Sequence, residues 1–386
     1  MQVFTLLLMM GLLFTCASAQ ETASKLLTQK AESADIDLDG INPINEVETN
    51  RSADHLYDAF DALREGNDSW REGEIKQSVV SYQKAVNLDP TLYAAQFNLA
   101  FALLRTKEYQ SAELGLRQAL RLRPESAAAW QCLGFAYYYQ RHYDSAVEAF
   151  RQAQRLAPEQ AVTYNNLGWA YLWVRRYADA VTSFQNALRT DPDFKPAKNG
   201  LCTSEALTKK LTEAVNTCLS ASHSDPQSAV PPYFLGVTYL ELGETAKALA
   251  AFETAARIEP ETARIHVGLG FTCFKLKKYE EALKHFEHSR ALDIRAPYAL
   301  SGIGAAYAQL KDYGNAEKAL QQVVSSNPDD ATARYNLGLV CLARKKRDCA
   351  LTQYNYLKIM GHSLAGTLFS TLFRDRVLDA SKYKKP

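Results

Sequence analysis

The side chains whose spacing best suits a binding site lie near the start of the chain. Asp35, Asp37, Asp39 and Glu46, with Gly40 among them, put carboxylates at the first, third, fifth and twelfth positions of a loop and glycine at the sixth, the ligand order of a calcium-binding helix-loop-helix loop. Asn42 stands where such a loop buries an aliphatic residue, Pro43 stiffens the exit, and no partner loop is visible. A solvated acidic linker explains the stretch, and a calcium-dependent interaction module is the alternative. His285 and His288 stand one helical turn apart beside Phe286. With no cysteine or carboxylate column converging on them, the reading is a solvated face, and no metal is expected. Gly302-x-Gly304 lacks the third glycine and the preceding strand of a dinucleotide loop. No catalytic carboxylate pair, Ser/His/Asp arrangement or phosphate-cradling loop has local support. No catalytic residue, cofactor or small-molecule substrate is therefore expected.

The elements that position these residues are set by a period. Pro90, Pro124, Pro158, Pro192, Pro226, Pro260 and Pro328 are spaced by 34 residues or a multiple of it, and Ile294 fills the vacant place. A period of this length means one unit copied end to end. In the same register Ala112, Ala146, Ala180, Ala248 and Ala282 are each followed one helical turn later by Leu116, Phe150, Phe184, Phe252 and Phe286. Earlier in each unit Leu133, Leu167, Leu235, Leu269 and Leu337 are each followed by a glycine. Glycine within a helix costs roughly 1 kcal/mol against alanine, so its recurrence requires the close approach of a second helix. Each unit is predicted to be a tight antiparallel helix pair.

Two units carry the pattern most fully: Trp130, Leu133-Gly134, Tyr137, Tyr143, Ala146, Phe150, Ala153 and Pro158, then Tyr164, Leu167-Gly168, Tyr171, Tyr177, Ala180, Phe184, Ala187 and Pro192. In these residues the chain resembles the tetratricopeptide repeat family. The resemblance implies an all-α, right-handed superhelical solenoid of antiparallel helix pairs over residues 51–364, with units at 59–92, 93–126, 127–160, 161–194, 195–228, 229–262, 263–296, 297–330 and 331–364. Leu364, Leu368, Leu372, Phe369 and Phe373 repeat at helical spacing and predict a capping helix over 365–380, before a basic tail at 381–386. Unit 195–228 departs from the pattern, with Cys202 and Cys218 in place of the glycine and the aromatic.

Composition and the two ends narrow the class further. A hydrophobic content of 47% supports a continuous core, and a net charge of +1 leaves no overall field to concentrate the chain on nucleic acid or anionic lipid. The apolar run from Val3 to Phe14, followed by Ala17-Ser18-Ala19, reads as a signal peptide at 1–19. The expectation is an exported protein, periplasmic or secreted, with an acidic linker at 20–50 and no membrane span. In such a compartment cysteines pair. Cys202 and Cys218 lie on the facing sides of one helix pair, and Cys341 and Cys349 flank the turn at Arg344-Lys345-Lys346. Two disulfides are possible there; small buried hydrophobes are the other reading.

The expected site is the face of the first helices left over once each pair has packed. It carries Phe97, Phe101 and Leu104, then Gln131, Phe135, Tyr138 and Tyr139, then Asn165, Trp169, Leu172 and Trp173. Rings that are even partly exposed would sum to a patch of the size that marks a binding surface. Asn98, Asn166 and Asn336 occupy positions where related arrays clasp a peptide backbone. The family's basic clamp for a C-terminal carboxylate is not evident, because Phe97, Phe101, Gln131 and Phe135 stand at its positions. The sequence is read as a non-catalytic adaptor binding a partner protein or peptide segment in an aromatic groove. A structural scaffold of an envelope or secreted assembly is the second alternative.

Overall fold

A computed structural model describes residues 54–293 and 297–373. The signal segment, the acidic linker with its Asp35–Glu46 loop, Ile294 and the basic tail lie outside those residues. Among the described residues all regular structure is helical, and the chain divides between Ser224 and Asp225 into two compact units. The first holds α1 (Asp54–Arg71), α2 (Ile75–Leu88), α3 (Tyr93–Arg105), α4 (Tyr109–Leu122), α5 (Ala127–Tyr139), α6 (Tyr143–Leu156), α7 (Ala161–Trp173), α8 (Tyr177–Thr190), α9 (Lys195–Leu207) and α10 (Leu211–Ser224). The second holds α11 (Val230–Glu241), α12 (Thr245–Ile258), α13 (Ala263–Lys275), α14 (Tyr279–Leu292), α15 (Pro297–Gln309), α16 (Tyr313–Ser326), α17 (Ala331–Ala343), α18 (Arg347–Ile359) and α19 (Leu364–Leu372). Within each unit every helix packs on its neighbours in sequence.

The proline column ends the second helix of each pair. The residue ahead of a proline is pushed out of the helical region, and Asp89, Arg123, Ala157, Asp191, Glu259 and Asn327 have φ between −127° and −139°. Asp293, ahead of Ile294, takes the same conformation at φ −139°.

The glycine column meets the bulky column of its own pair. A Cβ at Gly134 would lie 2.5 Å from Phe150 Cε1, and one at Gly168 would lie 2.7 Å from Phe184 Cε1. Gly302 closes on Phe286 from the following pair, at 2.6 Å, so both glycines of the Gly302-x-Gly304 motif serve helix packing. Leu364, Leu368 and Leu372 of α19 are buried against the last pair, and α19 packs on both α17 and α18.

Candidate functional site

The aromatic wall expected from the sequence is largely core. Phe97 and Phe135 are 0% exposed, and Phe101, Leu104, Gln131, Tyr138, Asn165, Trp169 and Leu172 are also buried. A first helix has no spare face, because α5 packs on α4 and α6 and also touches α3. Phe135 meets Phe150 edge-on at 5.6 Å, Trp169 meets Phe184 at 5.6 Å, and Phe101 lies 5.4 Å from Trp70. Asn98, Asn166 and Asn336 are buried as well, which withdraws them from a peptide backbone. Asn98 Nδ2 instead donates to Asn67 Oδ1 at 3.0 Å.

Tyr139 and Trp173 stay half-buried, and they belong to a ladder of rings at the turn edge of three consecutive pairs. Tyr109 stacks on Tyr139 at 4.9 Å, and Tyr143 stacks on Trp173 at 4.8 Å. Buried Tyr138 joins the two stacks, edge-on to Tyr139 and Tyr143, and its hydroxyl accepts from Trp173 Nε1 at 2.5 Å. Burial raises the phenol pKa of Tyr109, and that of Tyr143 against the opposing field of Arg141. Both rings therefore stay neutral, with flat faces and polar tips.

The turns after the first helices carry a basic residue that recurs in both units and that the sequence reading did not single out. Lys107, Arg141, Arg175, Lys209, Lys277, Lys311 and Lys345 all have positive φ, between 59° and 65°, and all are exposed. Each sits just past a first helix, where the left-handed residue lets two backbone amides close onto the last helical turn. At the first of these turns Lys107 N donates to Leu104 O and Glu108 N to Leu103 O, at 3.1 and 2.8 Å. Glycine suits this conformation best, as at Gly73 and Gly243. A cation there gains from the helix C-terminal dipole. The signal was present in the sequence as a second column at the 34-residue spacing.

The cysteines form two bridges. Cys202 and Cys218 are bonded with their Cα atoms 4.8 Å apart, tying α9 to α10, and Cys341 is bonded to Cys349 with a Cα separation of 5.9 Å, tying α17 to α18. Cys132 and Cys273 are free and buried. Glu317 brings a carboxylate close to Cys341 and Cys349. Its partners are cations, however: Arg344 at 2.5 Å and Lys346 at 2.8 Å hold the carboxyl below its usual range although desolvation opposes them. That cluster is structural. His285, read from the sequence as part of a solvated face, is half-buried and faces His266 of α13; His288 is exposed. Among the described residues no helix is long and apolar enough to cross a membrane.

With this geometry in place, the class of protein is a helical-repeat array. Residues 261–326 and 301–358 each match a tetratricopeptide repeat family model. Residues 89–203 match the model of the tetratricopeptide repeat protein 21 C-terminal ARM domain, and residues 208–289 match that of anaphase-promoting complex, cyclosome, subunit 3. The chain carries tetratricopeptide repeats. No curated protein matches it. Among solved structures, it is similar to the APC/C hetero-tetramer Cut9-Hcn1 at 15% identity and TM-score 0.51, over 88% of this chain and 100% of that one. It is also similar to a tetratricopeptide repeat protein from Parabacteroides merdae ATCC 43184 at 17% identity and TM-score 0.53, over 65% of this chain and 99% of that one. At these identities the likeness is one of fold.

Proposed function

We propose that this chain is a non-catalytic adaptor that binds an acidic segment of another protein along the turn edge of residues 93–209. The observation that carries this reading is the basic column: at four successive turns of the first unit, Lys107, Arg141, Arg175 and Lys209 occupy a backbone conformation that favours glycine. A charge kept at that cost, next to half-exposed rings, suits a partner with carboxylates and an apolar side chain to lay on Tyr139 and Trp173. Stacked helix pairs present such features as a regular row, which an extended or helical segment can follow. The Cut9-Hcn1 structure, by its description a hetero-tetramer, is consistent with this use of the fold. Export forms part of the proposal: disulfides persist in oxidising compartments, and two are present here.

A peptide array probed with the purified chain tests the site. Acidic peptides carrying an aromatic or aliphatic residue should be enriched, and binding should fall in the double variant Arg141→Gly, Arg175→Gly. Glycine keeps those turns, so the loss reads charge rather than folding. Enrichment of neutral or basic peptides, indifferent to that variant, would overturn the reading.

A further inference from the structure

Three histidines meet on the second unit, away from the turn edge. His266 lies on α13, and His285 and His288 lie on α14. The Nδ1 atoms of His266 and His285 are 3.4 Å apart, and the His288 ring centre is 4.3 Å from that of His266, at 76° between planes. His266 Nε2 lies 2.7 Å from the carbonyl oxygen of Pro260. A carbonyl only accepts, so Nε2 carries the proton and Nδ1 of the neutral ring holds a lone pair. This anchor belongs to the repeat: Gln96, Trp130 and Arg334, at the same place in their units, donate to Pro90, Pro124 and Pro328. Where the donor is an imidazole, the second nitrogen is left as a ligand aimed at its neighbour.

We infer that His266, His285 and His288 form a binding site for a divalent transition-metal ion of the zinc type. Zinc holds imidazole nitrogens at about 2.0–2.1 Å, so two of them on one tetrahedral ion lie about 3.3–3.4 Å apart, the separation already present between the two Nδ1 atoms. The Pro260 carbonyl supplies the outer hydrogen bond that fixes a ligating histidine's tautomer and ring plane. In the metal-free protein His285 Nδ1 donates its proton to His266 Nδ1. Binding requires that proton to pass through solvent to His285 Nε2, with no net release. His288, one turn along the same helix, is the third ligand after a side-chain rotation, and its exposure gives a hydrated ion its entry. Water completes the shell. Burial, joined by the neighbouring imidazoles, lowers the pKa of His266 and His285, so both are free bases at neutral pH. Imidazole ligands suit zinc, copper and nickel rather than calcium or magnesium.

The test is isothermal titration of the untagged chain with zinc chloride, repeated with His266→Gln and His285→Gln. Glutamine at 266 can keep the hydrogen bond to the proline carbonyl, as Gln96 does to Pro90 at 3.1 Å. One ion per chain is expected, with roughly tenfold or greater loss of affinity in either variant, about 1.4 kcal/mol per decade. Imidazole nitrogen NMR of the unmodified chain is the second measurement, in which zinc should move the His266 and His285 resonances first. Zinc affinity unchanged in both variants would overturn the site. So would no saturation at millimolar zinc, or shifts confined to other histidines.

Discussion

Phe135 and Trp169 show what decides the fate of a single ring. Each was expected on a free face, and each ends edge-on against the phenylalanine of its own helix pair. Cutting a buried aromatic to alanine typically loses about 3–5 kcal/mol, so Phe135→Ala should lower the urea midpoint of the first unit sharply. Tyr139→Ala, at the half-exposed edge, should cost much less. A melt of Phe135→Ala that matches the parent would show that the ring is not core. The histidine pair sets a pH dependence. Desolvation, aided by the neighbouring imidazoles, outweighs the Pro260 carbonyl at His266 and the pull of Glu261 and Glu281, and lowers both histidine pKa values in the folded state. The unfolded chain then binds more protons, so this contribution is complete above the ordinary histidine pKa of about 6.5 and is lost as pH falls through the lowered values. Urea melts at descending pH should show the second unit weakening in that window, and His266→Gln with His285→Gln should flatten the slope.

At the scale of elements, the turns and the bridges make separate predictions. Arg175 has φ 60°, and replacing a residue in that conformation with glycine relieves backbone strain, on the order of 1 kcal/mol. Arg175→Gly should therefore melt no lower than the parent while binding an acidic peptide more weakly. A variant that both unfolds early and loses binding would mean that the side chain holds the turn together. The Cys202–Cys218 bridge closes a sequence separation of 16 residues, for which loop entropy predicts about 3 kcal/mol. Reductant should lower the denaturant midpoint of the first unit by that order, and a Cys202→Ala, Cys218→Ala variant should show the same loss with no further response to reductant. In unit 195–228, which departs from the repeat pattern, a covalent tie stands where glycine and phenylalanine pack elsewhere.

For the molecule as a whole, a net charge of +1 coexists with a recurrent exposed cation at the turns after the first helices. No long-range field follows, and screening falls off over about 8 Å at physiological ionic strength. Partner binding should then weaken steadily with added salt, read as a falling affinity for an acidic peptide between low and physiological salt. Affinity independent of salt would place the contact on the rings alone. The sequence by itself determined the helix pairs, their length, their turns and the columns that clamp them, because a strict period writes the same local chemistry again and again: proline ends one helix, glycine admits the ring of the next. The basic column was equally regular there, but its left-handed backbone, which gives the charge its meaning, belongs to the folded turn. Tertiary structure alone decided which rings are core and which stay at the edge, because a first helix is enclosed by its partner and by adjacent pairs at once, and a helix face drawn from one pair leaves the other neighbours out. It also brought His266 to His285 across two helices, a meeting that neither histidine announces in sequence, since 19 residues and a turn separate them.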